Sequence, residues 1–208
     1  LVDKAKGGQV RADIRTLVAM PAFNEEARIA DVIAGARLHA DMVLVVDDGS
    51  CDDTASVASS LGAMVVRHDL NKGYGGALKT IFSMARDLNV EELIIIDSDG
   101  QHDYRDIPRL LVELRNGNDV VIGSRFNGAN GEGIPLYRKI GMKVLDIATM
   151  LAGNGLEITD SQCGFRAYGR RAIEVIHIGA DGMSAGSEIL VQISDNHLRV
   201  AEVPICVR

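Results

Sequence analysis

Apolar residues fall along this chain in two alternating patterns. Short runs with little polar interruption recur at 14–20, 42–46, 63–67, 93–96 and 120–122. Between them lie stretches where apolar positions return every three or four residues, at 25–39, 54–61, 76–88 and 107–116. Runs too apolar to alternate mark strands buried on both faces, and the 3.6-residue rhythm marks amphipathic helices. Strand and helix taking turns in this way predict an α/β domain, a mostly parallel sheet with helices on both faces. After residue 125 the rhythm changes. Ile140, Val144, Ile147 and Leu151 follow helical spacing, with Arg138, Lys139 and Lys143 among them. Two readings of that segment stand: a helix packed on the core with solvated lysines, or a basic amphipathic helix at a membrane surface. A helix at 185–196 and a strand at 199–205 complete the pattern. Residues 1–13 read as a flexible polar tail, 127–133 (NGANGEG) as a mobile loop, and 14–208 as a single domain truncated just after its last strand.

Composition narrows the function classes. The chain has 208 residues, enough for one substantial core. A net charge of −7, four Phe, four Tyr and no Trp argue against nucleic acid as a partner. Three widely spaced cysteines form neither a metal motif nor a disulfide framework, which suits a reducing, cytoplasmic setting. No run approaches the roughly 20 apolar residues that span a bilayer.

The candidate chemistry sits at strand ends. Asp97-Ser98-Asp99 follows the run Leu93–Ile96 and precedes Gly100-Gln101-His102. Two carboxylates and an amide oxygen make a hard oxygen cluster that suits Mg²⁺ or Mn²⁺. Pro21-Ala22-Phe23-Asn24-Glu25 leaves the first strand and Asp47-Asp48-Gly49-Ser50 the second. All three clusters belong to the carboxyl edge of one sheet, where open α/β sheets bind ligands. An acidic first turn of the following helix would account equally for Asp47 and Asp48. His102, beside the acidic loop, reads as a hydrogen-bonding loop residue rather than a metal ligand. Glu188 reads either as a sugar contact or as a helix-surface residue. The turn Lys72–Gly76 opens a helix and could offer N–H groups to an anion, although it lacks P-loop spacing.

Taken together, the strings PAFNEE, VVDDGSCDDT, NKGYGGALKT, DSDGQHDYRDI, VIGSRF, DSQCGFRA and EVPI, spread from Leu17 to the chain end, resemble family 2 glycosyltransferases of the GT-A (Rossmann-like) fold. Within that family the polyprenyl-phosphate (dolichyl-phosphate) sugar transferases are the most similar. The resemblance implies an inverting, metal-dependent enzyme that moves a sugar from a nucleotide-sugar donor to a lipid phosphate at the cytoplasmic face of a membrane. GDP-mannose, UDP-glucose and UDP-N-acetylglucosamine all stay open as donors. It implies donor contacts from Pro21, Phe23, Glu25, Asp47, Asp48, Ser98, Arg125 and Arg208. Asp97, Asp99 and Gln101 would hold Mg²⁺ or Mn²⁺ and the diphosphate. Asp99, Arg125 and Asp160 would serve the reaction, with Asp160 on the acceptor side. Arg138, Lys139 and Arg166 are further cations for a phosphate acceptor, or else solvated surface residues. Met142 stands where some relatives carry a serine, which weakens the case for acceptor contacts on that helix. A soluble or glycan acceptor, and a non-catalytic nucleotide-sugar-binding protein, are the alternatives. A nucleotidyltransferase is disfavoured because no Gly-rich basic loop follows the first strand.

Overall fold

The computed structural model describes residues 14–125 and 158–208. The tail 1–13, the loop 127–133 and the basic helix around 138–151 lie outside them. Seven strands form one sheet: β1 Thr16–Ala22, β2 Met42–Asp47, β3 Met64–Arg67, β4 Glu92–Ile95, β5 Val120–Ser124, β6 Arg166–Gly169 and β7 Val200–Pro204. Their order is β3-β2-β1-β4-β6-β5-β7. Strands β1 to β4 pair in parallel, as do β5 and β7, while β6 runs antiparallel between β4 and β5. The helices are α1 Ile29–Ala36, α2 Thr54–Ser60, α3 Gly73–Asp87, α4 Ile107–Arg115, α5 Arg170–Val175 and α6 Ala185–Asp195.

The core follows the periodicities. β1 and β2 are buried along almost their whole length, because helices cover both faces of the sheet. α1 buries Ile29, Val32, Ile33 and Ala36, and α4 buries Ile107, Leu110, Leu111 and Leu114, each a single helical stripe. Pro108 sits in the first turn of α4, where its missing N–H costs nothing.

Several elements depart from the expectation. The first strand continues to Ala22, through Pro21, which takes its place opposite Val46. β6 and α5 went unread, since a four-residue strand beginning with an arginine carries neither periodicity. Strand order reverses at β1, which has β2 on one side and β4 on the other. A crevice opens at such a reversal, so the loops leaving β1, β2 and β4 converge on one edge.

Candidate active site

The β1 and β2 loops are stitched together before any ligand enters. Asn24 adopts a positive φ of 57°; its N–H donates to Ser50 Oγ at 2.9 Å and its Oδ1 accepts from Cys51 N at 2.9 Å. Glu25 N donates to Thr54 Oγ1 at 2.8 Å. Phe23 is left 45% exposed and lines a cleft of about 330 Å³ with Pro21, Glu25, Asp48, Ser98 and Asp99.

Adjacent residues at a strand end point to opposite faces, and this separates the two expected base-contacting acids. Asp48 lines the cleft. Its Oδ1 accepts from His68 Nδ1 at 2.6 Å and Lys72 N at 2.9 Å, and its Oδ2 from Gly73 N at 2.8 Å. Asp47 is fully buried and does not line the cleft. It accepts from Ser50 N at 3.1 Å and faces Arg67 Nε at 3.1 Å, so it braces the loop from below. The Asp48 carboxylate thus takes two N–H groups of the Lys72–Gly76 turn, those of Lys72 and Gly73, and Gly73 and Tyr74 of that turn border the cleft.

Asp97, Ser98 and Asp99 leave β4 as expected. Ser98 Oγ donates to Pro21 O at 2.8 Å, tying the β4 loop to β1. Asp97 sits deep in the fold, yet its side chain stays 33% exposed. Burial pushes its carboxyl above the usual range and so does Asp99, against the pull of His102. Burial and the charge of Asp99 also raise Glu25. Gly100, with φ of 73°, turns the chain so that Gln101 N donates to Asp99 Oδ1 at 2.9 Å. Among the described residues no three His, Cys, Asp or Glu side chains close into a ready-made cation cage. The donor set still fits Mg²⁺ or Mn²⁺, which bind through one or two carboxylates and complete their shell with water and substrate phosphates. Mutual repulsion among Glu25, Asp97 and Asp99 is what a bound cation would relieve.

Arg125 follows β5 and is clamped by Asp160. Its Nε and backbone N donate to Asp160 Oδ2 at 2.7 and 3.0 Å, and its Nη2 to Oδ1 at 2.7 Å. Asp160 is 1% exposed. Glu202 on β7 in turn accepts from Thr159 N at 2.9 Å and Asp160 N at 3.1 Å. The terminal EVPI string contained this residue, but only the register of β7 beside β5 reveals its job.

Arg166 is a buried structural cation and not a solvated one. At 4% exposure its Nε donates to Cys163 O at 2.8 Å and its Nη2 to Ser161 O at 2.6 Å, holding the loop that carries Asp160. With Tyr74, Tyr168 and Asp97 it lines a second cavity of about 220 Å³ behind the cleft. Burial drives the Tyr74 phenol far up, so it stays neutral. Arg208 is not brought to the cleft: it donates to Asp31 Oδ2 at 3.0 Å and Asp103 Oδ1 at 3.1 Å and lies over the Tyr104 ring. Glu188 accepts from Gly179 N at 2.8 Å and Ala180 N at 2.9 Å, so it ties down the loop before α6.

A family model described as glycosyl transferase family 2 matches residues 17–176. The UDP-N-acetylglucosamine–dolichyl-phosphate N-acetylglucosaminyltransferase of Methanococcus voltae is 32% identical over 93% of this chain and 86% of its own. The polyprenol monophosphomannose synthase of Mycolicibacterium smegmatis is 32% identical over 94% of this chain and 78% of its own. A crystal structure of glucosyl-3-phosphoglycerate synthase from Mycobacterium tuberculosis with Mn²⁺, uridine diphosphate and glucosyl-3-phosphoglycerate aligns with a TM-score of 0.69 at 22% identity. It covers 94% of this chain and 72% of that one. That likeness is one of fold, and it bears out the GT-A sheet expected from the sequence.

Proposed function

The chain belongs to glycosyl transferase family 2, and from that premise we propose that it moves a sugar from a nucleotide-sugar to a polyprenyl phosphate, inverting the anomeric centre. One observation carries the acceptor class: both carboxylate oxygens of Asp160 are committed to Arg125. A hydroxyl acceptor needs a base to remove its proton. A phosphate monoester, with a second pKa of about 6, is already mostly dianionic at neutral pH and needs none. What it needs is positive charge beside it, and Arg125, whose Nε–Nη2 edge is held by Asp160, is the proposed source of that charge.

In this reading the nucleobase and ribose lie along Phe23, Glu25 and Asp48, and the diphosphate reaches Asp97 and Asp99. Mg²⁺ or Mn²⁺ held by those two carboxylates, with Gln101 beside them, would neutralise the charge that builds on the leaving diphosphate. Ser98 fixes the height of the β4 loop against β1. Asp160 keeps Arg125 charged and aimed; its hydrogen bonds outweigh the burial that opposes the charge. Attack by the acceptor oxygen in line with the departing diphosphate gives inversion in one step. No helix among the described residues is long and apolar enough to cross a membrane. From the lipid phosphates named for its relatives, the acceptor is proposed to be met at a membrane surface, with the protein bound peripherally on the cytoplasmic side.

The test offers GDP-mannose, UDP-glucose and UDP-N-acetylglucosamine in turn, with Mn²⁺ and either polyprenyl phosphate in detergent or a glycan acceptor. Nucleoside diphosphate release coupled to a sugar-phosphate lipid is expected. Transfer to the glycan alone would overturn the acceptor class, and no transfer from any donor would favour a binding protein.

A further inference from the structure

We propose that His102 is a positioning residue for Asp97, with an Nδ1–H that orients the carboxylate facing the donor diphosphate. The proposal rests on the reading of Asp97 as part of the cation and diphosphate site.

His102 does not behave as a loop residue serving its own turn. It is 6% exposed. Nδ1 stands 3.3 Å from Asp97 Oδ2, off the line of a good hydrogen bond, and has no hydrogen-bond partner among the described residues. Nε2 lies 3.8 Å from Cys163 Sγ. The ring is tilted 35° against Phe165 at 5.5 Å between centroids. Its backbone forms an antiparallel bridge with Val207, and Arg208 N donates to Gln101 O at 2.9 Å. The imidazole is thus fixed on several sides, with its one unserved nitrogen 3.3 Å from Asp97 Oδ2.

The proton on that nitrogen follows from what faces it. A bare Nδ1 would set a lone pair against a carboxylate oxygen in a buried place, which is repulsive. Whether the ring carries one proton or two, Nδ1 therefore bears one. Burial pushes the Cys163 thiol up to about 12, so sulfur keeps its hydrogen at neutral pH. That S–H has two acceptors within reach, Nε2 and Phe165 O at 3.9 Å. Serving Nε2 leaves the ring's proton on Nδ1. A Cβ at Gly164 would come within 2.9 Å of Asp97 Oδ2 and 3.0 Å of Oδ1. The carboxylate is therefore packed against a glycine that leaves it room and close to a histidine that can fix its rotation. A buried, leashed donor of this kind typically changes metal affinity by about 10- to 100-fold when lost.

The experiment measures Mn²⁺ binding in the presence of UDP or GDP, together with the thermal midpoint of each apo protein. His102→Asn keeps an N–H donor near the Nδ1 position. His102→Gln moves the amide toward Nε2, and His102→Phe fills the space with a ring that donates nothing. His102→Asn should bind Mn²⁺ within about threefold of wild type, and the Gln and Phe variants about tenfold or more weaker. Using both covers the case in which one fails to fold. Equal affinity in wild type and all variants overturns the proposal, and so does equal weakening in all three, which would mark packing rather than the donor. No Mn²⁺-supported nucleotide binding by wild type would instead overturn the site reading on which the proposal rests.

Discussion

Arg125 and Asp160 are a side-on pair whose value lies in geometry. Asp160→Asn keeps the shape, removes the charge and leaves one oxygen to accept from Arg125 in place of two. If the acceptor is a phosphate, kcat should fall about tenfold, roughly 1.4 kcal/mol in barrier, with donor KM unchanged. Steady-state kinetics on the purified variant would show it; a loss of a thousandfold or more would make Asp160 an essential base. Glu92 offers a test of stability away from the site. Burial pushes its carboxyl up, but hydrogen bonds from Arg115 Nε and Nη2 at 2.8 Å and from Thr16 Oγ1 at 2.6 Å outweigh it, and the net shift is down. A carboxyl lowered on folding stabilises the native state above its unfolded pKa, about 4.3 for Glu, and that contribution disappears as pH falls through the folded value. Glu92→Gln should therefore cost about 1–3 kcal/mol at pH 7. In urea melts the gap from wild type should narrow below about pH 4; a constant gap down to pH 3 would contradict the assignment. At this scale the sequence marked nearly every polar residue near the cleft, but not what each one touches. Asp47 and Asp48 look alike in the string VVDDGS, and only the alternation of the chain leaving β2 sends one inward.

Element by element, the site depends on where α3 begins. Asp48 accepts the first N–H groups of that helix, and its glycines let the neighbouring loop close in. A Cβ on Gly75 would collide with the backbone carbonyl of Ala180, which has no flexible side chain to move aside. Gly75→Ala should destabilise the fold by about 1–3 kcal/mol, the usual cost of overpacking. Gly182, with nothing near its Cβ position, is the control. Gly182→Ala should be neutral or stabilising by up to about 1 kcal/mol. Denaturant midpoints for the two variants would decide, and similar values would remove the argument for close approach at Gly75. The parallel strands β1 to β4 and their helices were legible because their apolar runs are long and their helical stripes regular. β6 was not, for a physical reason. It begins with Arg166, and burying a guanidinium is tolerable because partners such as the carbonyls of Ser161 and Cys163 accept from it. Those carbonyls lie on a preceding loop, and no periodicity reports where a loop folds back.

At the scale of the whole molecule, one sheet edge gathers residues far apart in the chain. β1 brings Phe23 and Glu25, β2 brings Asp48, β4 brings Asp97 and Asp99, and the β5–β6 side brings Arg125 onto Asp160. The convergence of the β1, β2 and β4 ends was readable in advance, because a parallel sheet sends every carboxyl end the same way. The place of Arg208 was not: its ion pairs with Asp31 and Asp103 depend on how α1 and the loop after β4 meet in space. Asp97 and Asp99 are proposed to serve a divalent cation in sugar transfer. The measurement that tests this most directly is labelled-sugar transfer to polyprenyl phosphate by wild type, Asp97→Ala and Asp99→Ala across a Mn²⁺ titration, with thermal midpoints as the check on folding. Wild type should need the cation, and each variant should lose about a hundredfold or more of its rate at any Mn²⁺ concentration while remaining folded. Metal-dependent transfer at a wild-type rate by either variant would contradict the account.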